Sequence, residues 1–87
     1  MTRDISSSAR SVTRVNGNLG TVRSRPVGSS PSLEAELSDG SGVIRLVWMG
    51  QPRINGIEPG RPLTVEGMVG VHRGRRTMFN PRYQLGP

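Results

Sequence analysis

The sequence predicts an all-β fold, five short strands closed into a barrel with one short helical turn between the third and the fourth. Three observations carry this expectation. Apolar residues recur with period two in short runs, the pattern of strands with one face on a core. The runs are separated by turns rich in glycine, proline, serine and aspartate. The chain has 87 residues and no cysteine, near the lower limit for a domain without staples. Closing the strands on one another would give each a neighbour and remove exposed edges.

Residues 1–16, MTRDISSSARSVTRVN, contain only Ile5, Val12 and Val15 as substantial apolar groups. Too little apolar surface is present to offset the entropy of ordering, so this stretch is expected to be a mobile basic tail and residues 17–87 the domain. The first strand is expected over residues 17–25, with Gly20 placed where a bulge would bend it. Residues 26–31, with two prolines and a glycine, form the connection to the second strand. There Leu33, Ala35 and Leu37 alternate with Glu34 and Glu36. Asp39-Gly40-Ser41-Gly42 then makes a tight turn. In the third strand, residues 43–49, Ile44, Leu46 and Trp48 share one face and Val43, Arg45 and Val47 the other.

Residues 50–57 are too short and broken for a long helix, but one turn there would plug the barrel with Ile54 or Ile57. Pro59-Gly60 fits a type II turn. The fourth strand, residues 63–71, has Leu63, Val65, Val69 and Val71 in period two, with Gly67 as a gap where it can coil. His72 to Arg76 read as a basic loop, and residues 77–85 as a fifth strand interrupted at Pro81. This order is that of a Greek-key OB barrel. An SH3-like barrel competes on strand count, and the segment with Ile54 and Ile57 fits the OB arrangement better.

Composition excludes several chemistries. Without cysteine there is no disulfide, thiol nucleophile or cysteine-held metal. His72 is the single histidine, and the six acids show no metal-ligand spacing. Asp39, Ser41 and His72 invite a hydrolase reading, but the first two have a sufficient turn explanation and no nucleophile elbow surrounds them. There is no phosphate-binding loop motif and no lysine. The expectation is a protein that is no enzyme, needs no cofactor and takes no small-molecule substrate. No apolar run approaches membrane-spanning length and no hydrophobic signal segment follows Met1, so a soluble, cytoplasmic protein is expected.

The charge is more informative. The formal net charge is +6, and all 12 basic residues are arginine, which suits a polyanionic partner. Biased composition would give the same count, so distribution decides. Residues 71–87 hold Arg73, Arg75, Arg76 and Arg82 and no acid. Arg23 and Arg25 share one face of the first strand beside the first loop. Two basic clusters on neighbouring loops predict a groove for a phosphate backbone. Arg45 stands on the outer face of the third strand, and His72 is either a phosphate or base contact or a plain surface residue. Trp48 and Tyr83 read as core or as ligand-facing, and Phe79 as core or as a stacking group. Glu34, Glu36 and Glu66 oppose phosphate and favour the loop rims over the whole sheet.

A resemblance joins these pieces. Gly20-Thr21-Val22, the run from Leu33 to Gly42, Ile44 to Trp48, Pro59-Gly60, Val65-Glu66-Gly67 and Asn80-Pro81-Arg82-Tyr83 resemble the OB-fold domain of anticodon-binding modules and of the wedge of the branched-DNA helicase RecG. The likeness spans about 70 residues, the size of one small domain. It implies nucleic-acid contact through the second and third strands and the loops beside them, with Trp48 matching an aromatic that engages branched DNA. The helicase motor is missing, so ATP-driven remodelling is not implied, and the low aromatic content departs from a strong stacking platform.

The expected function is non-catalytic binding of single-stranded or branched DNA, or of RNA. Arg23, Arg25, Arg45, Trp48, His72, Arg73, Arg75, Arg76, Phe79 and Arg82 are the candidate contacts. The alternative is an OB-type module that binds a protein partner or a second copy, which acidic Glu34 and Glu36 and outward Val43 and Val47 would suit.

Overall fold

The computed structural model describes residues 12–87. Residues 1–11, most of the expected tail, lie outside the described residues. Strand β1 (Val12–Ser24) starts five positions before the expected first strand, so residues 12–16 are sheet. It is followed by β2 (Ser32–Ser38), β3 (Val43–Met49), β4 (Pro62–Met68), β5 (Gly70–His72), β6 (Arg75–Phe79) and β7 (Arg82–Leu85).

The expected five-stranded OB barrel with a helical turn is not the fold. Seven strands form one mixed sheet in the order β5-β6-β3-β2-β1-β4-β7, open at β5 and β7, and no helix occurs among the described residues. The likeness to anticodon-binding and RecG-wedge domains therefore fails at the level of architecture. Each discrepancy has a local cause. The expected fourth strand stops at Met68, and beyond Val69 the chain pairs only with β6, as β5. The expected fifth strand breaks at Asn80, which takes φ 53°, and at Pro81, which has no N–H to give to a ladder. Its first half runs parallel to β3 and its second half antiparallel to β4. Between β3 and β4, Gly50, Gly56 and Gly60 all take positive φ, which breaks any helical hydrogen-bond series. The apolar plug forms without a helix: Ile57 is buried and Ile54 packs against the core.

One expectation about local geometry is met. The β1/β2 register shifts between Leu19 and Val22, around Gly20; β1 pairs with β4 over its first half and with β2 over its second, the bulge lying within the second. Gly17 sits where the two partners diverge, and a Cβ there would collide with the carbonyl of Ser38. The 3–4 connection is pinned to β1 by Gly60 N–H donating to Leu19 O at 2.7 Å and Leu19 N–H donating to Arg61 O at 2.9 Å.

The single sheet curls around its own inner face. Val15 and Leu19 of β1, Leu33, Ala35 and Leu37 of β2, Ile44, Leu46 and Trp48 of β3, Leu63 and Val65 of β4 and Met78 of β6 make one core with Ile57. Gly67 of β4 lies under the β6–β7 link, where a Cβ would stand 3.5 Å from Pro81. Alternation leaves the opposite face of β2, β3 and β6 outward, and that face carries the charges.

Candidate nucleic-acid interface

The outer face is built by register. Glu34 stands opposite Val47 and Glu36 opposite Arg45 on β2/β3, while Thr77 and Phe79 of β6 stand beside Arg45 and Val47. The stretch expected as a basic loop is instead a hairpin: Arg73 and Gly74, both at positive φ, make the two-residue turn between β5 and β6. Arg75 and Arg76 consequently belong to a strand. The loop between β1 and β2 is also hairpin-like, with Val27 N–H donating to Ser30 O and Ser30 N–H to Val27 O at 2.8 and 3.0 Å.

These two hairpin tips wall a cleft of about 450 Å³. Arg25 and Val27 lie on one side, His72 and Arg73 on the other, with Arg45 and Val47 along it. Phe79, 49% exposed, lines the same cleft and meets the His72 ring edge to face at 5.3 Å. A smaller hollow next to it is lined by Arg23, Arg25, Arg45 and Arg75 with Glu34 and Glu36. Arg23, Arg25, Arg45, His72, Arg73, Arg75 and Phe79 are thus brought to one face.

The carboxylates of β2 occupy part of this charge. Glu34 lies 3.4 Å from Arg45 and 3.8 Å from Arg25, and Glu36 lies 3.0 Å from Arg75. Arg45, whose side chain is 13% exposed, also donates to the carbonyl of His72 at 3.2 Å, tying β5 to β3. Its role is internal more than ligand-facing. Among the described residues, Arg23 and Arg73 have no carboxylate partner, so their guanidinium groups remain open to an anion.

Three candidates lie elsewhere. Trp48 is core: it is buried, its Nε1–H donates to Pro81 O at 3.0 Å, and its ring meets Tyr83 edge to face at 5.7 Å. Arg76 faces the β2–β3 turn, where its charge adds to the forces on Asp39. The Asp39 carboxyl is held below its ordinary value of 3.8, chiefly because the Ser41 N–H donates to it, with the Ser41 hydroxyl next; partial desolvation opposes this, and Gly42 N–H and Arg76 add to the lowering. Arg82 lies on β7, opposite Glu66, beside a second cleft that also touches Phe79.

Residues overlooked in the sequence are Val27 and Met49, which line the main cleft, and Asn80. Asn80 had one visible signal, an Asn-Pro step directly after an aromatic, which favours a turn.

Among the described residues, no helix is long and apolar enough to cross a membrane, and no group of three or more His, Cys, Asp or Glu could hold a metal ion. No protein-family model matches the chain, and no curated protein sequence matches it.

Proposed function

We propose that this chain is a non-catalytic nucleic-acid-binding protein that holds single-stranded DNA or RNA against the outer face of β2, β3 and β6. One observation carries the proposal: a cleft with Arg25 on one wall, Arg73 on the other and a half-exposed aromatic, Phe79, along it. Guanidinium groups on facing walls suit a phosphodiester chain, which they grip through charge-assisted hydrogen bonds while condensed counterions are released. An exposed ring beside them offers a surface on which one base can stack.

The test is fluorescence anisotropy with labelled single-stranded DNA, single-stranded RNA and duplex across a salt series, folding being checked by circular dichroism. Affinity is expected to fall with salt. Replacing Arg25 and Arg73 together by alanine is expected to weaken binding for all sequences and to reduce the salt slope by about two. A folded protein that binds neither strand at low salt ends the proposal.

A second reading has its own support. Val27, Met49 and Phe79 are exposed apolar groups around the same cleft, and Glu34 and Glu36 already engage several arginines, as a surface for a protein partner would allow. Nuclease-resistant capture of a protein, with no oligonucleotide binding, would favour it.

A further inference from the structure

Phe79 belongs to two clefts. The second, of about 430 Å³, is lined by Val12, Glu66, Met68, Phe79, Asn80 and Arg82. We propose that this cleft holds a single nucleobase and that the Asn80 amide NH2 hydrogen-bonds an acceptor on its edge. The inference rests on the reading that nucleic acid binds the neighbouring face.

The chemistry of the lining selects a base over a phosphate. Val12, Met68 and Phe79 are 63%, 54% and 49% exposed, three apolar side chains left in water around one hollow. The volume falls in the range of about 300–1,000 Å³ typical of small-ligand pockets. The Glu66 carboxylate in its wall repels a phosphate, whereas an uncharged heterocycle pays no such electrostatic penalty. Arg82, beside it, is placed to meet the phosphate of the nucleotide whose base enters.

Asn80 supplies direction. Its backbone N–H donates to Val47 O at 2.6 Å, and its Oδ1 accepts from the Met49 N–H at 2.8 Å. A main-chain donor on the oxygen settles which end of the amide is which, leaving the two Nδ2 hydrogens as donors. Among the described residues no protein acceptor takes them. The group is held by β3 before any ligand arrives, so little rotamer freedom is lost on binding. A base stacked on Phe79 would present its edge to this fixed donor.

The experiment uses the full chain and two short oligomers of equal length. One is oligothymidylate; the other is built from difluorotoluene nucleotides, which copy the shape and stacking of thymine but accept hydrogen bonds poorly. The native protein is expected to bind the thymine oligomer about three- to tenfold more tightly, the worth of one hydrogen bond. Asn80→Gly keeps the left-handed backbone and removes the amide, and Asn80→Asp keeps the acceptor for Met49 N–H but removes the donors. Both are expected to lose the preference while still binding the mimic. Equal binding of the two oligomers by the native protein, or a preference that survives both substitutions, overturns the base pocket and leaves the proposed function standing. Failure to bind either oligomer overturns the base pocket, and only the further absence of single-stranded RNA binding at low salt overturns the proposed function itself.

Discussion

The two faces of β2 and β3 are made from alternate residues of the same strands, yet they obey different physics. On the inner face, Leu33, Ala35, Leu37, Ile44, Leu46 and Trp48 are all at most 4% exposed, and their contribution is removal of apolar surface from water. On the outer face, Glu34, Glu36 and Arg45 stand half-buried among ion pairs, where charge attraction is offset by desolvation and the net gain is small. The difference teaches that apolar burial and charge pairing are carried by opposite sides of one hairpin, so that under the proposed function stability and recognition are separated in the same way. Changes on one side should leave the other largely untouched.

The largest expected effect comes from the inner face. Leu46→Ala empties a site with no exposure and is expected to cost about 2–5 kcal/mol of stability, read as a lowered urea midpoint, with unchanged oligonucleotide affinity at temperatures where the variant is folded. Lost affinity in the folded variant would break the division of labour between the faces. A smaller stability change is expected from Glu34→Gln, about 1 kcal/mol, because the amide retains an acceptor for Arg45. This variant should bind single strands more tightly at low salt, since Arg25 and Arg45 lose their carboxylate. Weaker binding would mean that Glu34 positions the arginines more than it masks them.

The smallest effect is expected at the turn joining the strands. Folding lowers the Asp39 pKa, so its ionised form contributes stability at pH values above the unfolded value of 3.8. That contribution is lost as pH falls through the lower folded value. Asp39→Asn should therefore show a shallower decline of the urea midpoint on acidification than the native chain. Parallel declines would remove the turn carboxylate from the account.

Several features were legible because they are local. The alternation of Leu33, Ala35 and Leu37 with Glu34 and Glu36 assigns the faces of β2. Gly20 marks the bulge. The Asp39 turn follows from a side-chain oxygen that accepts the N–H groups of Ser41 and Gly42. Ile54 and Ile57 were recognisable as the apolar residues of a polar connection, either of which could be buried, and the structure buries Ile57 with Ile54 packed beside it. The candidate site was legible only in part. Period two placed Arg45 outward, but the pairings of Arg45 with Glu34 and of Arg75 with Glu36 depend on which strands lie side by side. Parity suggested Trp48 as core, while its partners Pro81 and Tyr83 come from a distant stretch.

By itself, then, the order of residues determined the β class, the inward and outward sets on β2 and β3, the turn at Asp39 and the excess of arginine over acid. Tertiary structure alone decided that β6 lies parallel to β3, that β7 lies on β4, that the sheet ends openly at β5 and β7, and that Arg25 faces Arg73 across a cleft. The reason is range. Periodicity and turn chemistry act over a few neighbouring residues, whereas strand partnership is chosen by the burial of a whole face and costs loop-closure entropy that depends only weakly on the separation along the chain.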